Sequence, residues 1–340
     1  MAGTMSQTMS AIVLREFGGP EVLQLSEIPR PVAGPGQVLV RVKASSVNPV
    51  DTKIRSGMLA AIAPAAPTVL GCDVAGVVEA CGEGLTDFAP GDAVYGCAGG
   101  VKGCPGALAE YMACDARLLA PKPEGLSFEE AAVLPLVTIT AWDGLIDRAR
   151  VRAGQRVLVH GGTGGVGHVA VQLCAAQGAE VWATVSSSEK AAVARSLGAA
   201  GTINYREQSV DDYVQAATGG TGFDVVFDTV GGENVAKCFQ AAAVSGTVVS
   251  ISTRTSADLS PLHAKGLSLH VVFMLIPMLH NRGDERSHHG RILREVTRLV
   301  DSGRLRPLLD ERKFTFHEAA AAHQLLSEGK VTGKIALTGI

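Results

Sequence analysis

The chain has 340 residues, 46% hydrophobic and 19% charged, with 40 glycines and a formal net charge of −3. Such a composition excludes a disordered or fibrous chain, and the small acidic surplus argues against nucleic acid or an anionic membrane as the main partner. The length accommodates two domains with a large buried core.

Residues 1–10 are polar and uncharged and lack an apolar h-region, so they read as a loose leader and not as a secretory signal. Short apolar or alternating runs follow at 11–14, 37–43, 76–80 and 93–96, separated by Gly, Pro and Asp turns. This pattern predicts a compact β-barrel. The rhythm changes near Gly154. A strand at 156–160 leads through a Gly-rich turn to a helix at 166–177; then come a strand at 180–185, a helix at 189–197 and strands at 223–228 and 246–251. Strands alternating with helices predict right-handed βαβ units and a doubly wound parallel sheet. An apolar run at 271–275 reads as a further strand. The longest apolar stretch, 271–279, contains Pro277 and is far too short to span a membrane. After two helical segments a last strand at 334–338 is too isolated to stand alone, so it is expected to return to the first domain. The seven cysteines are scattered with no C-x-x-C pair, which fits free thiols in a reducing cytoplasm.

Gly162-x-Gly164-x-x-Gly167 directly follows a strand and opens a helix, the context that a dinucleotide-binding turn requires. Glycine there lets the backbone approach a pyrophosphate, and the helix N-terminus supplies N–H donors with partial positive charge. Cofactor contacts are therefore expected from Gly162, Thr163, Gly164, Gly165, Val166 and Gly167. Where the next strand ends, an Asp or Glu would bond a ribose 2′-hydroxyl and indicate NAD. This chain has Ser186-Ser187-Ser188-Glu189-Lys190 instead. Ser186, Ser187 and Lys190 suit a 2′-phosphate, and the expected cofactor is NADPH. Glu189 is expected to serve the helix dipole.

Taken together, the motifs resemble the medium-chain dehydrogenase/reductase superfamily, and within it the zinc-free, zeta-crystallin-like quinone oxidoreductases. The resemblance runs nearly end to end. It rests on the segment from Arg41 through Asn48-Pro49-Val50-Asp51-Thr52-Lys53 to Gly57, on Gly71-Cys72-Asp73-Val74-Ala75-Gly76, and on Gly91-Asp92-Ala93-Val94. Leu134-Pro135, Thr140-Ala141-Trp142, Asn204-Tyr205-Arg206-Glu207, Asp228-Thr229-Val230-Gly231-Gly232 and Thr332-Gly333-Lys334-Ile335 extend it. The likeness implies an α/β protein in which a GroES-like β-barrel catalytic domain (1–134 and 270–340) is interrupted by a Rossmann domain (135–269). It further implies cofactor contacts from Tyr205, Ser252, Thr253, Arg254 and Phe273, substrate contacts from Lys53 and Thr140, and a homodimer formed near 271–275.

Zinc-holding members carry a Cys in the early loop and a His in a Gly-His-Glu turn; the matching positions here are Asn48 and Gly71-Cys72-Asp73. One cysteine does not make the three or four converging ligands zinc needs, so no metal is expected. His317 and His323 are six residues apart and cannot clasp one ion from a single helix. Without a Lewis acid the acceptor must already be electrophilic. The expected activity is NADPH-dependent hydride transfer to a quinone in the cytoplasm, with Asn48 and Asp51 as catalytic residues. Asn48 would donate to the developing oxyanion. Asp51 either relays a proton or only forms the turn after Pro49. Cys72 either lies near the nicotinamide or is a buried structural thiol. Reduction of alkenals or enones, and a non-catalytic role in NADPH binding or redox sensing, are the alternatives.

Overall fold

The computed structural model describes residues 7–339. The chain forms two compact units: one built from the residues up to Leu136, Leu275–Gly303 and those from Leu309 onward, the other from Val137–Met274 and Arg304–Leu308. The boundary expected at 270 falls inside a strand of the second unit, which runs on to Met274 and also takes back five residues near 306.

The first unit begins with β1 (Thr8–Leu14), β2 (Leu23–Pro29), β3 (Gln37–Val47), β4 (Thr68–Val69) and β5 (Asp73–Cys81). It continues with β6 (Ala93–Cys97), β7 (Tyr111–Asp115) and β8 (Leu119–Pro121). β1 starts inside the expected leader because Thr8 pairs with Pro29 across the β1–β2 ladder; residues 1–6 of that leader lie outside the described residues. β3 is the hub, pairing with β5 on one side and β7 on the other. Its buried Val38, Val40, Val42 and Ala44 alternate with outward Arg41 and Lys43, the period-2 pattern of a half-buried strand.

The second unit holds β9 (Arg156–Val159), β10 (Glu180–Val185), β11 (Gly201–Asn204), β12 (Phe223–Asp228), β13 (Ala242–Ser250) and β14 (Ser268–Val271). They form one parallel sheet in the order β11-β10-β9-β12-β13-β14. That is the Rossmann order, with the strand sequence reversing beside β9. The strands read as near-continuous apolar runs because both faces are covered. Leu158, Phe223, Val226 and Val248 pack with Tyr213 and Phe239 of the helices Val210–Thr218 and Asn234–Ala241. The run 271–275 is not a strand. β14 ends at Val271, where its ladder with β13 stops, and Val272, Met274 and Leu275 enter the core outside any sheet.

The chain returns to the first unit with β15 (Phe314–Thr315) and β16 (Ile335–Thr338). β16 pairs antiparallel with β3, so the isolated last strand does complete the first unit. No helix among the described residues is long and apolar enough to cross a membrane.

Candidate active site

In the second unit the glycine turn leaves β9 and enters the helix Gly167–Ala176. Gly161 has φ +69°, a left-handed conformation that L side chains avoid. A Cβ on Gly162 would stand 2.5 Å from the Ala183 Cβ, and one on Gly167 would stand 2.0 Å from the Gly161 carbonyl oxygen. The turn is therefore built on glycine to bring backbone against backbone. Thr184 at the end of β10 ties it down, accepting the Gly161 N–H at its hydroxyl (3.0 Å) and the Gly162 N–H at its carbonyl (3.1 Å). Thr163 is buried; Gly164, Gly165 and Val166 are half-exposed at the helix start.

Across the sheet reversal, Asp228 ends β12 fully buried. It accepts the N–H groups of Val230 and Gly231, the Asn234 amide and the Ser250 hydroxyl, so it shapes the loop after β12. A cavity of about 750 Å³ opens here, with His160, Tyr205, Val230, Asn234 and Lys237 among its lining. The buried His160 Nε2 finds no hydrogen-bond partner among the described residues, and burial holds the ring neutral by lowering its pKa to about 4. A turn that only glycine fits, a helix N-terminus and a polar cavity suit a dinucleotide.

Where β10 ends, Ser187 caps the helix Ser188–Ser196 by accepting the Lys190 N–H. The Ser187 hydroxyl thus satisfies one of the free N–H groups of the first turn. The hydroxyls of Ser187 and Ser188 lower the pKa of the exposed Glu189 carboxyl at the first turn. Ser186 and Lys190 are half-buried, and Tyr205 is exposed with the Arg206 guanidinium 6.0 Å from its ring centre. Ser252 is half-buried, while Thr253 and Arg254 are exposed. Phe273 is exposed and Thr140 is buried.

In the first unit, register assembles a buried polar cluster. The β16–β3 ladder pairs Ile335 with Val47, so one step further sets Lys334 opposite Asn48. The β3–β5 ladder pairs Ser45 with Val74, which sets Ser46 opposite Asp73, and Asp73 in turn pairs with Cys97 of β6. Asp73 Oδ2 accepts the Ser46 hydroxyl at 2.6 Å and the Asn48 amide at 2.9 Å, and its Oδ1 accepts the Leu136 N–H at 2.8 Å. Lys334 Nζ donates to Asn48 Oδ1 and to the Val47 carbonyl (2.9 Å), and stands 4.0 Å from Asp73 Oδ2. Burial pushes the Asp73 carboxyl up and the Lys334 ammonium down, and each is pulled back by the other's charge.

Asn48 precedes the helix Pro49–Arg55, and its N–H is received by Asp51 Oδ2 at 2.8 Å. Asp51 Oδ1 accepts the Cys72 thiol at 3.2 Å. Burial raises Asp51 to about 6, and the Cys97 contact, burial and Asp51 push the Cys72 thiol well above its ordinary value. Cys72 is thus a buried, protonated donor. Lys53 is half-buried on the same helix.

The structure brings together two predicted residues, Asn48 and Asp51, and adds Ser46, Asp73, Cys97 and Lys334, to which no role was assigned. It also corrects the role given to Asn48. The side chain is fully buried and its amide hydrogens are committed to Asp73 and, at 3.3 Å, to Ser46. It therefore holds the site's framework and has no hydrogen to spare for a substrate oxygen. The one available signal for Lys334 was a lysine heading an apolar strand, which reads equally well as a solvated strand end.

Comparison with known proteins completes the picture. Two families match the chain, "Alcohol dehydrogenase GroES-like domain" over residues 34–124 and "Zinc-binding dehydrogenase" over residues 197–337. The quinone oxidoreductase of Rattus norvegicus is 33% identical over 98% of this chain and 99% of its own length. The chloroplastic NADPH-dependent alkenal/one oxidoreductase of Arabidopsis thaliana is 35% identical over 98% of this chain and 80% of its own. Among solved structures, an alcohol dehydrogenase superfamily protein from Novosphingobium aromaticivorans has a TM-score of 0.93 and 44% identity, covering 98% of this chain and all of the other. The zinc in one family's description does not fit these residues: no three His, Cys, Asp or Glu side chains converge for a metal among the described residues, the Cys72 thiol stays protonated, and Asp73 is spent on protein donors. With its barrel, its Rossmann sheet and these full-length relatives, the chain belongs to the medium-chain dehydrogenase/reductase superfamily, on its quinone oxidoreductase-like branch.

Proposed function

We propose that the protein is an NADPH-dependent reductase that passes hydride to a quinone without catalytic zinc. The observation that carries the cofactor assignment is the end of β10, where Ser186, Ser187 and Lys190 stand in place of the carboxylate that would bind a ribose 2′-hydroxyl. Tyr205 and the Gly162–Gly167 turn complement it on the adenosine and pyrophosphate sides, with Ser252, Thr253, Arg254 and Phe273 on the nicotinamide side. The cofactor supplies the hydride. Reduction of a quinone takes one hydride and one proton, and Asp51, raised to about 6, holds a proton near the pH at which such an acid works best. Lys53 and Thr140 are the residues assigned to the acceptor.

The name of the Arabidopsis relative supports a second reading, reduction of an α,β-unsaturated carbonyl by the same cofactor. A panel of 1,4-benzoquinone, 9,10-phenanthrenequinone and 2-alkenals, followed by NADPH oxidation, separates the two; turnover of alkenals alone overturns the quinone assignment. The cofactor assignment is tested by Lys190→Ala, expected to raise KM for NADPH about tenfold and KM for NADH little, as loss of one charge-assisted contact implies. Equal effects on both cofactors would end it. The exposed Val271, last residue of the edge strand β14, and the exposed Phe273 just beyond it support a homodimer, measurable by light scattering.

A further inference from the structure

A lysine ammonium buried among strands is costly unless its charge and its hydrogens are met. Lys334 is 3% exposed, yet its Nζ reaches two oxygen acceptors and a carboxylate, each from a different part of the chain from its own. Two of those residues have further ties: the Asn48 amide to Ser46 and Asp73, the Asp73 carboxylate to Ser46 and Leu136, and the Asn48 N–H to Asp51. The positions at which zinc-holding members of the superfamily place ligands are here Asn48 and the Cys72-Asp73 turn. They surround a fixed organic cation.

We propose that Lys334 is a positioning residue for the reductase site, its ammonium serving as a built-in cation that fixes Asn48 and Asp73 where a metal would otherwise supply the positive charge. It touches neither substrate nor cofactor. It acts through Asn48, whose N–H orients Asp51, and through its field on the two carboxylates. The titratable groups acting on it are Asp73 of β5, Asp51 of the helix Pro49–Arg55, Cys72, and Cys97 of β6. Of the other charged groups beside it, Asp310 gives its N–H to the Lys334 carbonyl and spends its carboxylate on Arg312. Glu130 of the helix Phe128–Ala132 turns back to its own cap at Ser127, neighbouring Glu129 is half-buried, and His323 of the helix Ala319–Ser327 is held neutral by burial, its pKa near 3. Arg41 and Lys43 of β3 are exposed.

The kinetic part of the test rests on the reductase reading; the spectroscopic part does not. In Lys334→Met the ¹³C titration of the Asp51 carboxyl should move upward by about one unit, because a favourable charge is lost and Asp73 is left uncompensated. The NADPH dissociation constant should stay within about twofold, while kcat/KM with 1,4-benzoquinone falls about tenfold or more and its acid limb moves with Asp51. In Lys334→Ala, added ethylammonium should restore part of the lost kcat/KM. An Asp51 midpoint that stays put or falls, loss of NADPH affinity in parallel with kcat/KM, or no rescue overturns the proposal. Should neither variant fold, the wild-type chain decides: the Lys334 ¹⁵Nζ resonance must stay in the ammonium range from pH 6 to 9, and a neutral-amine shift refutes it. If the wild-type protein reduces no acceptor, the reductase reading falls while the Asp51 and Nζ measurements still judge the cation.

Discussion

The two units build their polar centres in opposite ways. In the second unit the glycine turn is contiguous: Gly161 to Gly167 lie in one stretch of backbone, and the two tightest approaches are local, Gly162 to Ala183 of the adjoining strand and Gly167 to the Gly161 carbonyl. In the first unit the cluster of Ser46, Asn48, Asp73, Cys97 and Lys334 is discontinuous, and its members meet because four strands are in register. A local centre depends on the shape of one loop. A register centre depends on every ladder that feeds it, and removing one member leaves the others buried and unmatched.

The largest effect should therefore come from Asp73→Ala. It strips the partner of Lys334, Ser46, Asn48 and the Leu136 N–H at once, and breaking a buried charge pair costs about 3–5 kcal/mol. Urea unfolding of the whole chain measures it, and a loss under about 1 kcal/mol would mean the cluster is wetter or looser than its burial indicates. Next is Gly167→Ala in the local centre. The new methyl would meet the Gly161 carbonyl at 2.0 Å, backbone that cannot step aside cheaply, and overpacking of this kind costs about 1–3 kcal/mol. Because the strain sits in the loop itself, it should appear as weaker NADPH binding, on the order of tenfold to a hundredfold, with little change in the first unit. Titration by cofactor fluorescence decides this, and unchanged affinity would break the contrast.

The third effect depends on pH. Asp51 titrates near 6 against an ordinary 3.8, so the folded chain holds this proton more tightly than the unfolded one. Its stabilising contribution is complete below about pH 4 and is lost as pH rises through 6. The rise from 3.8 to about 6 corresponds to at most about 3 kcal/mol. Relative to Asp51→Asn, the wild-type chain should thus lose stability between pH 4 and 7; a difference that is flat or opposite in sign over that range would show that Asp51 is not desolvated.

The same contrast governs what was legible in the residues alone. The glycine turn, β10 and β12 were readable because their signals are local: spacing, apolar runs and flanking turns. β11 was missed because it has four residues and opens with Gly201, whose place is dictated by the Trp182 ring beside it. The run 271–275 looked like a strand because Val, Phe and Met follow one another. The strand is in fact Ser268–Val271, since β13 offers ladder partners only as far as Ser250. Asn48 and Asp51 were identified by resemblance, but the commitment of the Asn48 amide was not foreseeable. It depends on Asp73, 25 residues away, and on Lys334, 286 residues away. No periodicity in a single sequence encodes such a pairing.

The span between Asn48 and Lys334 has a consequence for synthesis. As the chain is made, Asp73 and the strands around it emerge long before the lysine that neutralises them, with the entire Rossmann unit translated in between. Closing an open loop of that length is entropically costly, and the cost grows with the number of free residues. A Rossmann unit that has already folded tethers the two ends and shortens the effective loop. The expected order of events on the ribosome is therefore inner unit first and barrel last, with the carboxylate waiting uncompensated until its counter-charge arrives.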